Sequence, residues 1–126
     1  MRLVLDSGAL IALDRNDRAM WTRFKAALLA GEPPLTHGGV VGQAWRAGGA
    51  RQARLATALD GIEVRALDDA TGRAAGELLA RARQRDVVDA ALVLLASDGD
   101  HIVTSDPHDL EALARAAGRH VELVRA

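Results

Sequence analysis

The chain has 126 residues, 49% of them hydrophobic and 26% charged, a size and balance that predict a single soluble domain over residues 1–126. A formal net charge of −1 excludes a generally basic nucleic-acid coat but leaves room for an acidic centre rimmed by arginine, since Lys25 is the lone lysine among sixteen basic residues. The absence of cysteine removes disulfides and thiolate zinc sites.

In chain order, short aliphatic or β-branched runs predict strands at 2–5 (RLVL), 34–37 (PLTH), 62–67 (IEVRAL), 101–105 (HIVTS) and 121–125 (VELVR). Helical patterns rich in Ala, Leu and Arg separate them. SGALIALD and DRAMWTRFKAALLAG follow the first strand, the second ending at Gly31 as a C-cap. GGVVGQAWRAG and RQARLATALDG lie between the second and third strands. DDATGRAAGELLARARQR and DVVDAALVLLASDG precede the fourth, and PHDLEALARAAG precedes the fifth. Such alternation predicts an α/β fold with a largely parallel sheet. No apolar run approaches the roughly 20 residues that span a bilayer. The start MRLVLDSGAL has too short an apolar stretch for a signal peptide. A cytoplasmic protein without membrane attachment is expected.

In a parallel sheet, strand carboxyl ends and helix starts share one edge, where open α/β folds place their sites. Acids accumulate there. Asp6 follows the first strand and can cap the next helix, beside Ser7. Asp106 follows the fourth strand and precedes Pro107, the usual composition of a helix start, with Asp109 in the first turn. Asp86 and Asp89 open an otherwise apolar helix. Asp86 can cap it, and i, i+3 spacing puts both on one face. Each acid has a local structural explanation, yet all are assigned to one edge. Carboxylates so gathered repel unless a cation neutralises them. Mg²⁺ takes a few carboxylate oxygens and keeps several waters. It can polarise a phosphoryl oxygen and acidify water, so metal-assisted phosphodiester hydrolysis is the expected chemistry.

VLDSGALIAL, DVVDAALVLLA and IVTSDPHDL together resemble the PIN-domain family, and more narrowly the VapC-type toxins of bacterial toxin–antitoxin pairs. The resemblance runs over nearly the whole chain. It implies a PIN-like, Rossmann-like sandwich with a five-stranded parallel sheet in the order 3-2-1-4-5. It also implies an endoribonuclease dependent on Mg²⁺ or Mn²⁺, a homodimer, and a VapB-like antitoxin as partner beside the RNA substrate. By position, Asp6, Asp89 and Asp106 match the family's acids, with Asp86 an additional candidate metal ligand. Asp109 matches an auxiliary acid, and Thr104 matches a hydroxyl residue able to orient a carboxylate or water, a part Ser7 could also take.

One position departs from the family pattern. A glutamate is usual in the helix after the second strand, and VVGQAWR offers Gln43 instead. An amide oxygen can ligate a hard metal but brings no charge and cannot act as a base. Gln43 is either such a weak ligand or a plain surface residue. Either the site is weakened, or Asp86 supplies the missing charge. The alternative function is accordingly a PIN-fold RNA- or partner-binding module with reduced catalysis.

Trp21 and Phe24 read as core, or as part of a partner groove. Trp45 reads as packed. Arg46 could meet a phosphate or an antitoxin acid. Arg51 and Arg54, on one helix face, suit a phosphate backbone but equally a solvated surface, as do Arg81, Arg83 and Arg85. His37, His101, His108 and His120 show no close metal-ligand spacing. A receiver domain would need adjacent acids after the first strand and a lysine near the last. A haloacid-dehalogenase-like phosphatase would need an acid where Gly8 stands.

Overall fold

The computed structural model describes all residues 1–126. Five short strands, β1 (Leu3–Leu5), β2 (Leu35–His37), β3 (Glu63–Arg65), β4 (His101–Thr104) and β5 (Glu122–Arg125), form one all-parallel sheet. Their order is β3-β2-β1-β4-β5, so the chain winds outward from β1 in both directions. This is the α/β architecture and strand order expected above. β1 is the central strand, with Leu3, Val4 and Leu5 all buried, and it pairs with β4 in the register Leu5↔Val103. The edge strand β3 is exposed at all three residues, and the charges of Glu63 and Arg65 blunt it against further pairing.

Seven helices flank the sheet: α1 (Ser7–Asp14), α2 (Arg18–Leu29), α3 (Gly38–Ala44), α4 (Ala53–Asp60), α5 (Asp69–Ala82), α6 (Val87–Leu95) and α7 (Pro107–Ala116). Their starts were legible because the caps are local. Asp17, Asp68 and Asp86 each accept an N–H three residues on. α2 stops before Gly31, whose φ of +73° is the left-handed turn that glycine adopts without strain. A single cluster of buried apolar side chains runs from Leu3 to Ala114 and draws on both helical layers. α6 contributes Ala90, Ala91, Leu92 and Val93, all fully buried, while its first turn, opening on the exposed Val87, reaches solvent.

Between β2 and β3 the helix expected over 51–61 is broken. Ala50–Gln52 form a separate 3₁₀ turn, and α4 begins at Ala53. Gln52 is the cause. Its side chain is buried, Oε1 accepts the N–H groups of Arg46 and Ala47 at 2.9 and 3.0 Å, and Nε2 donates to Ala44 O at 3.0 Å. The amide thus ends α3 and turns the chain, so Arg51 and Arg54 do not share a continuous helix face. Phe24 is in the core, edge-on to Trp21 with ring centroids 5.4 Å apart, and the half-buried Trp21 donates its Nε1–H to Leu13 O at 2.9 Å. Trp45 packs against the core margin.

Candidate metal centre

The carboxyl ends of β1 and β4 lie side by side, and each leads straight into a helix. Asp6 follows β1 and is 7% exposed. Its N–H donates to Val103 O at 3.1 Å, extending the ladder, and its Oδ1 accepts the Ala9 N–H at 3.1 Å. It therefore caps α1 with one oxygen. Burial pushes its pKa up, while hydrogen bonds from the Thr104 hydroxyl and the N–H groups of Ala9, Ser105 and Gly8 draw it part of the way back.

Thr104, fully buried at the end of β4, links two acids. Its Oγ1 accepts the Asp106 N–H at 2.9 Å, and the same hydroxyl hydrogen-bonds the Asp6 carboxylate. Asp106 occupies the N-cap position of α7, before Pro107, but its carboxylate makes no capping hydrogen bond. The helix-start explanation that its sequence context offers is therefore not what this side chain does. It is exposed and free to meet a ligand. Asp109 is exposed in the first turn of the same helix.

Asp86 caps α6 through Oδ1, which accepts the Asp89 N–H at 3.1 Å. Asp89 is half-buried, and its pKa is pushed up to about 6, first by burial and then by the negative charges of Asp86, Asp6, Asp109 and Asp106. Three separate segments thus bring four carboxylates close enough to act on a fifth, Asp89, at one edge of the sheet.

A cation would relieve that repulsion, and an all-oxygen donor set at a solvent-open edge is of the chemistry that a hard divalent ion takes. The fit is to an open site. No group of three or more acidic or histidine side chains is gathered closely enough to hold a metal ion as it stands.

The remaining candidates are less engaged. Ser7 opens α1 beside Asp6 and is partly buried. Gln43 is exposed on α3. Arg46 folds back on its own helix end, Nη1 donating to Gly42 O and Trp45 O at 3.0 and 2.8 Å. Arg51 and Arg54 are exposed. The histidines are dispersed. His101 pairs with Glu122 at 3.0 Å at the far end of β4, and His108 and His120 are exposed.

His37 is engaged by the fold in a way that metal-ligand spacing does not report. It ends β2, is 1% exposed, and both ring nitrogens are engaged. Nδ1 accepts the Gly39 N–H at 3.0 Å, which puts the proton on Nε2, and Nε2–H donates to Val88 O at 2.9 Å. Burial lowers its pKa, with the Val88 bond opposing, so the ring is neutral. Its position at a strand's carboxyl end, like Asp6 and Asp106, was the available clue.

No family model matches the chain, and no curated protein matches it. No helix is long and apolar enough to cross a membrane.

Proposed function

We propose that the protein is a metal-dependent endoribonuclease acting in the cytoplasm, the toxin component of a VapBC-like pair, which hydrolyses RNA phosphodiester bonds with a Mg²⁺ or Mn²⁺ ion held by Asp6, Asp89 and Asp106. The observation that carries the reading is the placement of Asp6 after β1, Asp106 after the neighbouring β4, and Asp86 and Asp89 at the start of α6, which packs against β1; the raised pKa of Asp89 agrees with it. Asp86 adds negative charge at the mouth of the site. When bound, the cation supplies polarisation of a phosphoryl oxygen and a more acidic water.

The chain's own residues prepare the site for that chemistry. Thr104 and three backbone N–H groups orient Asp6 while part of its charge remains uncompensated. The carboxylate of Asp106 is left unengaged by its helix and can accept a hydrogen bond or ligate. Asp6 is the most buried of these acids and Asp89 is half-buried, so both carry negative charge at a cost that a counter-ion would offset. Exposed Arg51 and Arg54 are the candidates for contact with the RNA backbone. The exposed Leu28, Leu29 and Val64 are apolar surface on which an antitoxin or a second copy could pack.

A second reading, an RNA- or partner-binding module with reduced catalysis, is favoured by two observations. Gln43 is exposed and uncharged where the family has an acid, and the carboxylates form no closed ligand set. Incubation of structured RNAs with Mn²⁺ or Mg²⁺ separates the two. Cleavage by the wild type that is lost in Asp6→Asn and Asp89→Asn supports the nuclease. Cleavage that persists in both variants removes the assigned site. RNA binding without cleavage supports the second reading.

A further inference from the structure

His37 is a buried imidazole that the proposed chemistry does not use, and it bridges two elements far apart in sequence. Its acceptor partner, Val88, immediately precedes Asp89 in the first turn of α6, and the two bonded residues are 51 positions apart. The other side of the ring is fixed by the Gly39 N–H. A Cβ at residue 39 would lie 2.9 Å from the ring's Cε1, 3.1 Å from Nδ1 and 3.2 Å from Leu67 Cδ2, so the ring occupies a slot that the missing side chain of Gly39 leaves open. With the ring 1% exposed, water has no room to substitute for either bond. Meanwhile Asp86 and Val87, which open α6, are exposed and give the first turn little anchorage of their own.

We propose that His37 is a positioning residue for the acidic centre: by joining the end of β2 to the first turn of α6, it fixes where Asp89 stands relative to the neighbouring acids. The role goes beyond capping α3, because the Nδ1 bond alone accomplishes that. The Nε2 bond aligns the helix that carries the acid. This rests on the metal-centre reading above, and the test separates the two.

Asparagine and glutamine divide the functions of the imidazole. In His37→Asn the amide oxygen can replace Nδ1 at the Gly39 N–H, but the side chain is too short to reach Val88. In His37→Gln the amide N–H can replace Nε2–H at Val88 O, and the cap is given up. Mn²⁺ affinity of the full chain is measured by electron paramagnetic resonance of the free ion, with thermal unfolding alongside and Asp89→Asn as reference. The expected result is a loss of about tenfold or more in Mn²⁺ affinity for His37→Asn, as for disruption of a ligand's support, and near wild-type affinity for His37→Gln. Wild-type affinity in His37→Asn, or equal losses in both variants, overturns the positioning role and leaves His37 as packing. Unchanged affinity in Asp89→Asn overturns the metal centre, and the positioning role with it. If His37→Asn does not fold, Gly39→Ala, which crowds the ring without removing any polar group, takes its place. It is expected to weaken Mn²⁺ binding, and unchanged binding there counts against the proposal.

Discussion

Gly8 and Ser105 touch so closely that a Cβ on Gly8 would lie 2.5 Å from Ser105 Oγ, 2.7 Å from its Cβ and 3.0 Å from its backbone nitrogen. This contact joins the turn after β1 to the turn after β4, the two that carry Asp6 and Asp106. A side chain at position 8 must push those turns apart. Gly8→Ala should therefore cost about 1–3 kcal/mol of stability, in the range of overpacked sites. Ser105→Gly removes the two nearest atoms, so the double variant should recover part of the loss in a double-mutant cycle of urea midpoints. Additive effects would show that the turns are not in contact in solution.

Asp89 makes the metal-free protein sensitive to pH. Its folded pKa is about 6 against an ordinary 3.8, so between these values the native state holds more protons than the unfolded chain. The stability it contributes is present at about pH 4 and is lost as the pH rises through about 6, and solvent screening at this half-exposed group keeps it below the full value of the shift. Asp6, also raised, acts in the same direction. Urea unfolding in chelator should show stability falling over this window, and Asp89→Asn should remove most of the fall and be more stable than wild type at neutral pH. Saturating Mg²⁺ should restore the wild type at neutral pH by about 2–3 kcal/mol at a hundredfold excess over Kd, and should do little for the variant. A wild-type profile that is flat in chelator would sink the assignment.

Asp86 and Gln43 can be separated by charge alone. Asp86 caps α6, and asparagine caps as well as aspartate, so Asp86→Asn removes the charge while the helix start is kept. If Asp86 supplies the charge that Gln43 lacks, Asp86→Asn lowers both Mn²⁺ affinity and the Asp89 pKa, and Gln43→Glu in that background restores affinity. Carboxyl resonances followed by NMR titration report the pKa. Unchanged affinity and cleavage in Asp86→Asn would end the compensation idea.

Gln52 is the hinge of the α3–α4 connection. Besides its three backbone bonds, Nε2 lies 3.4 Å from Asp14 Oδ2, while Asp14 Oδ1 is buried without a partner. Gln52→Ala strands the N–H groups of Arg46 and Ala47 and should cost about 1–3 kcal/mol or more. Gln52→Glu sets a second carboxylate against Asp14 and should lower Tm further at neutral pH than Gln52→Ala does. The opposite ranking would mean that the acceptor bonds a glutamate keeps outweigh the lost donor bonds and the added charge.

The secondary structure was largely legible because its signals are local. Helix starts at Asp17, Asp68 and Asp86 are N-caps closed within three residues, and short aliphatic runs such as LVL and HIVT form strands in a parallel sheet. The turn at Gln52 was not legible, because a glutamine near the start of a helical pattern ends the preceding helix only when burial offers it three backbone partners. Asp106 was legible as a helix start but not as a free carboxylate, since whether an N-cap side chain turns back to its helix is not written in the residue type.

By itself the sequence determined the α/β alternation and the placing of acids at strand ends, because periodicity and caps act over a few residues. Only the tertiary structure decided that burial and four neighbouring carboxylates raise the pKa of Asp89, and that His37 ties β2 to the helix that bears it. Those relations cross tens of residues. Electrostatic repulsion and buried hydrogen bonds depend on distance in space, which the order of strands sets and no local pattern encodes.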